Sequence, residues 1–146
     1  MISDTVLVLA ERFGKGLSAE RVAGAIGRGL TAEGAFACDL CPLDETLNTP
    51  TEHPSKPLDE VDFDRRMRAA RALVIACAHL DDSALARSIA FEAATRARQS
   101  GVPAYAVTGR DDLDPFEARI VDLQIILEAG TTRALSAAGH KLATLV

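Results

Sequence analysis

Two short apolar runs constrain this chain most: Thr5-Val6-Leu7-Val8-Leu9-Ala10 and Ala72-Leu73-Val74-Ile75-Ala76-Cys77-Ala78. Neither alternates as a strand with one wet face would, and each is too short for a buried helix. Both fit strands covered on two faces, as in a parallel sheet. Helical spacing follows each run. After the first, Ser18 stands at an N-cap position, and Val22, Ala23, Ile26 and Leu30 recur along one side of 19–30. Gly24, Gly27 and Gly29 each weaken that helix by roughly 1 kcal/mol relative to Ala, and are expected to serve close packing on a sheet. After the second run, Asp81 or Asp82 is placed to cap a helix with the stripe Leu85, Ile89, Ala93 and Ala97, closed by Gly101.

Further strands are predicted at 35–43, 103–108 and 123–127, ending in a polar loop at 109–112 in the second case. Short helices are predicted at 60–71, with Val61, Phe63 and Met67 inward, and at 115–120. Thr131 or Thr132 caps a last helix carrying Leu135, Leu142 and Leu145. Strands alternating with helices require right-handed βαβ crossovers. The expected fold is therefore an α/β, three-layer α/β/α sandwich with a mostly parallel, about five-stranded doubly wound (Rossmann-like) sheet.

A chain of 146 residues suits one domain over 1–146, interrupted by a Pro-rich loop at 44–59 that holds Pro50, Pro54 and Pro57. Aromatic residues make up only 4% of it, so the core must be built from Ala, Val, Leu and Ile. A formal charge of -5 leaves no dense basic face, and a nucleic-acid partner is not expected. No apolar run approaches the roughly 18 residues of a membrane span, and the N-terminus lacks the pattern of a signal peptide. The expected location is the cytoplasm, with Cys38, Cys41 and Cys77 as thiols.

In an open parallel sheet, ligands bind outside the carboxyl ends of the strands. Three loops are nominated: 11–17, 77–83 and 108–112. In the first, Glu11 precedes Gly14, Lys15 and Gly16 ahead of a helix N-terminus, where free amides and a lysine favour an anion. The competing reading is an ordinary turn that uses glycine for its backbone angles. In the second, His79 and Asp81 are candidates for acid-base work and Asp82 for a metal ion, with Ser83 beside them. Helix capping by one aspartate competes with that reading. In the third, Gly109 and Arg110 offer an anion contact, against a plain charged turn. Cys38-Asp39-Leu40-Cys41 has a CxxC spacing, and with Cys77, His79 and His53 it suggests a zinc site. On a strand, however, the two thiols point to opposite faces, which favours structural thiols and no metal.

The stretch from Val6 through Glu11-Arg12-Phe13-Gly14-Lys15-Gly16-Leu17-Ser18 to Ala23 resembles the first strand-loop-helix of the bacterial glycerate kinases, two-domain enzymes that transfer the ATP γ-phosphate to glycerate. Cys41-Pro42-Leu43 resembles the end of their second strand. Ala72 to Ile75, Leu80-Asp81, Gly101-Val102-Pro103 and Ala106 to Arg110 resemble their C-terminal half, as does the final helix. These stretches cover most of the chain except 44–59. Read as a resemblance, they imply Mg-ATP as cosubstrate, with Lys15 on phosphate, Asp81 on Mg²⁺ and Arg110 on the substrate carboxylate.

The departures are specific. The family's chain is more than twice as long and carries an inserted domain that is missing here. Its first loop has an Asp and then a Lys where this chain has Glu11 and Gly14, with Lys15 one position later. Its Gly-Glu-Gly-Arg after the third strand is here Ala76-Cys77-Ala78-His79, and the glycine-rich acidic run after the second strand is here Leu43-Asp44-Glu45-Thr46-Leu47-Asn48. Phosphoryl transfer depends on positioning and cationic stabilisation, and here the glycines and most of the cations are lost. The expected function is that of a degenerate, non-catalytic glycerate-kinase-like domain. It would bind a small anionic ligand or a partner at the strand ends, with an Ala-rich helix suited to homodimer formation. The alternatives are an active glycerate kinase and a Cys/His metal or redox protein.

Overall fold

The computed structural model describes residues 3–81, 87–120 and 122–146. The elements run β1 (Thr5–Ala10), α1 (Ala19–Thr31), β2 (Ala37–Pro42), α2 (Ser55–Glu60), α3 (Phe63–Arg68) and β3 (Ala72–Asp81), then α4 (Ile89–Gln99), β4 (Ala104–Asp112), α5 (Pro115–Ile120), β5 (Leu123–Glu128) and α6 (Thr132–Leu142). The five strands form one sheet in the order β2-β1-β3-β4-β5, and every neighbouring pair is parallel. The doubly wound α/β sandwich expected from the two apolar runs is therefore the fold observed.

Both runs are buried on two faces because their residues alternate between two cores. Leu7 and Leu9 of β1, with Leu73, Ile75 and Cys77 of β3, pack toward α3 and α4. Val6, Val8 and Ala10, with Val74 and Ala76, pack toward α1 and α6. Phe63 and Met67 point inward from α3 as their spacing predicted. Leu145 lies past the end of α6 and is exposed, not part of that helix's buried stripe.

Of the three glycines in α1, Gly29 packs on a helix and not on the sheet. A Cβ there would lie 1.9 Å from the carbonyl oxygen of Ser136, and a Cβ on Gly139 would lie 2.1 Å from that of Ile26. The two glycines let α1 and α6 touch backbone to backbone. Gly27 does face β2, against Leu40 and Cys38, while Gly24 faces only its own neighbour Arg28.

Three boundaries differ from expectation. The loop at 44–59 is shorter than its prolines suggested, because Ser55–Glu60 is helical and buries Leu58. β3 continues to Asp81 and β4 to Asp112, pairing His79 with Arg110 and Asp81 with Asp112 in register. Residues 109–112 are thus strand, not loop. Asp81 is the last residue of β3, Asp82 lies outside the described residues, and α4 begins at Ile89, where the buried Ser88 accepts from the amide of Phe91. Leu85, the first residue of the predicted α4 stripe, lies outside the described residues; Ile89, Ala93 and Ala97 are buried as expected. Among the described residues no helix is long and apolar enough to cross a membrane.

Candidate functional site at the strand ends

The strand order places a topological switch between β1 and β3, since the chain leaves β1 for β2 on one side and returns to β3 on the other. Glu11 is the first residue past β1 at that switch. Its amide donates to the carbonyl of Ala76, and its carboxylate accepts from the amide of Ala78 at 3.2 Å. The side chain is only 5% exposed. Burial without a cation pushes its pKa up to about 7, against the opposing pull of the Ala78 amide. Cys77 lies beneath it, fully buried, and burial raises that thiol well above its ordinary range.

The segment 43–51 forms a strap across these strand ends. The Leu43 amide donates to Ala10 and the Thr51 amide to Arg87, while the Leu47 carbonyl accepts from Ala90 at the start of α4. The Asn48 side-chain amide donates to the carbonyl of His79 at 2.9 Å. Leu43 and Leu47 are buried in the core beside Leu9 and Leu80. Sheets with this strand order carry FMN at the β1/β3 switch in flavodoxin-like proteins. Here Leu47 is buried and Asn48 is tied to His79 at the ends of these strands.

Beyond the switch, His79 and Arg110 converge on one oxygen. Asp112 Oδ2 lies 2.6 Å from His79 Nε2 and 2.6 Å from Arg110 Nε. Thr108, fully buried, fixes the approach: its hydroxyl donates to the Arg110 carbonyl at 3.0 Å. Gly109 is required by packing, because a Cβ there would sit 2.7 Å from the carbonyl oxygen of Ala78. Phe13 closes the other side, held by an antiparallel bridge to Leu17.

Lys15 is exposed at the tip of that bridge, with no ion pair among the described residues. Gly14 has φ +70°, a conformation that favours glycine and accounts for it without a ligand, whereas Gly16 meets open space. Ser18 accepts from the Arg21 amide as an N-cap. A shallow cleft of about 270 Å³ lies between Arg12, Ser18 and Asp44. Asp82 and Ser83 lie outside the described residues, so no place in the site is assigned to them. The structure thus brings together His79, Gly109 and Arg110, with Glu11 buried on the neighbouring strand end.

The cysteines do not converge. Cys38 packs on the α1 side and Cys41 in the opposite core, where Arg66 Nη1 reaches its sulfur at 3.4 Å while Arg66 Nη2 and Nε pair with Asp39. Among the described residues no group of three His, Cys, Asp or Glu side chains is placed to hold a metal ion. Sequence reasoning singled out neither Asp112 nor Asn48. Asp112 joins His79 only through the β3–β4 register, and nothing in the spacing of the strap marks Asn48.

No family model matches the chain, and no curated protein matches its sequence. Solved structures do. A protein described as pilus assembly-related from Burkholderia pseudomallei K96243 superposes with a TM-score of 0.55 at 20% identity, covering 98% of this chain and 90% of that one. An oxidoreductase from Corynebacterium diphtheriae gives 0.52 at 11%, over 100% and 98%. The NAD(P)H:quinone oxidoreductase from Methanothermobacter marburgensis gives 0.51 at 12%, over 97% and 98%. None of these three is a glycerate kinase, and at such identities they establish the fold alone.

Proposed function

We propose that this chain is a non-catalytic binding domain that takes a small carboxylate, of the size of a hydroxy acid, at the ends of β3 and β4. The observation that carries the reading is the Asp112 carboxylate held between His79 and Arg110. An imidazole and a guanidinium that converge on one carboxylate oxygen make a cradle for another, since a guanidinium matches carboxylate geometry. The resemblance to glycerate kinases supports the ligand class.

Phosphoryl transfer fits these residues poorly. Glu11, at the family's acidic place, is buried and accepts from the Ala78 amide, and Lys15 is exposed with no ion pair among the described residues. Asp44, Glu45, Asp111 and Glu128 are exposed acidic residues toward the strand ends, so a triphosphate would meet stronger repulsion than a single carboxylate. Glycerate titrated into ¹⁵N-labelled protein is expected to move the amides of His79 and Arg110, and Arg110→Gln to weaken binding at least about tenfold, the usual scale for a charged hydrogen bond. Shifts elsewhere, with those amides still, would refute the site.

A further inference from the structure

The cradle of His79 and Arg110 already holds a carboxylate, and that carboxylate belongs to the chain itself. A carboxylate can only accept, so His79 Nε2 and Arg110 Nε are the donors, each 2.6 Å from Asp112 Oδ2. His79 stands opposite Arg110 in the β3–β4 register, and side chains two apart on a strand share a face. Asp112 therefore reaches back to Arg110 along its own strand and across to His79. Its neighbour Asp111 is anchored otherwise: its amide donates to Glu128, and its carboxylate accepts from the amide of Leu113. Among the described residues no backbone amide donates to the Asp112 side chain.

Two features make Asp112 a replaceable occupant. Both donors crowd onto Oδ2, and Oδ1 has no partner among the described residues, whereas a free carboxylate can offer one oxygen to each donor. The contact is also open to water, with His79 and Asp112 41% exposed and Arg110 73% exposed, and ion pairs so placed are weakly held.

We infer that Asp112 is a built-in competitor: its carboxylate fills the cradle until a ligand carboxylate takes His79 and Arg110 and turns it out. This rests on the carboxylate-binding reading of the same site and adds the regulation of that site. A ligand binds only those molecules in which the two donors are free, so its apparent affinity falls by that fraction. A neutral polyol brings no charge with which to displace Asp112 and is rejected.

Titration of glycerate into the ¹⁵N-labelled chain, read at the amides of His79 and Arg110, tests this. Asp112→Asn keeps the shape and removes the charge, and Asp112→Ala removes the acceptor. Both should bind glycerate roughly three to ten times more tightly than the wild type, the scale on which exposed ion pairs hold their partners. Glu45→Gln removes the same charge from an exposed residue of the strap that has no ion pair among the described residues. Its affinity should change by less than about twofold, since solvent screens so exposed a charge. Binding by the Asp112 variants alone would support the inference most strongly. Equal or weaker binding by them, with the wild type still binding at His79 and Arg110, would overturn it and leave the carboxylate site standing. An equal gain in Glu45→Gln would also overturn it, because the effect would then be one of net charge. Failure of all four proteins to bind would end the carboxylate reading and this inference together.

Discussion

At the residue scale, Glu11 dominates the account because it is a buried acid without a counter-charge. Its folded-state pKa is raised, so the stability it confers is complete below pH 4.5 and is lost as pH rises through about 7. The full loss is up to roughly 3 kcal/mol, from a shift of some two and a half pKa units. Urea unfolding of the wild type should give a free energy that falls between pH 5 and pH 8, while Glu11→Gln removes most of that fall and is the more stable protein at pH 8. A wild type as stable at pH 8 as at pH 5 would mean that the carboxylate is better solvated than its burial implies. His79 and Arg110 are a contrasting case. Their contact with Asp112 is half exposed, and such pairs add little to stability, so their importance lies in what they could hold.

At the scale of elements, the strands were legible in the sequence and their ends were not. Val6–Ala10 and Ala72–Ala78 are apolar at every position, and a strand buried on two faces needs that. Residues 79–81 and 109–112 are polar, and what makes them strand is their pairing with each other, a long-range fact that no local pattern carries. The same blindness hid Asp112 from the site. The glycines of α1 show how one sequence signal covers different causes. Gly29→Ala drives a methyl into the backbone of α6 and should cost at least about 2 kcal/mol. Gly24→Ala, whose nearest atom is the flexible Arg28 guanidinium at 3.7 Å, should stabilise the protein by roughly 0.5–1 kcal/mol. Equal effects in thermal unfolding of the two variants would show that α1 and α6 do not meet as described.

At the scale of the whole molecule, the carboxyl ends of the strands gather the residues with chemistry, as the switch in strand order requires. The strap fills the ground over β1 and β3, and the cradle of His79 and Arg110 stands beside it on β3 and β4. That division separates two kinds of ligand. On the proposed reading a small carboxylate takes the cradle beside the strap, and a nucleotide would have to use the β1–α1 turn that carries Lys15. The most direct test is thermal unfolding of the purified protein with glycerate, with Mg-ATP, with both, and with neither. A ligand at about 100 times its dissociation constant adds roughly 2.7 kcal/mol, enough to raise the midpoint by several degrees. The account predicts a rise with glycerate that Arg110→Gln abolishes, and no further rise from Mg-ATP. A rise with Mg-ATP and none with glycerate would contradict it.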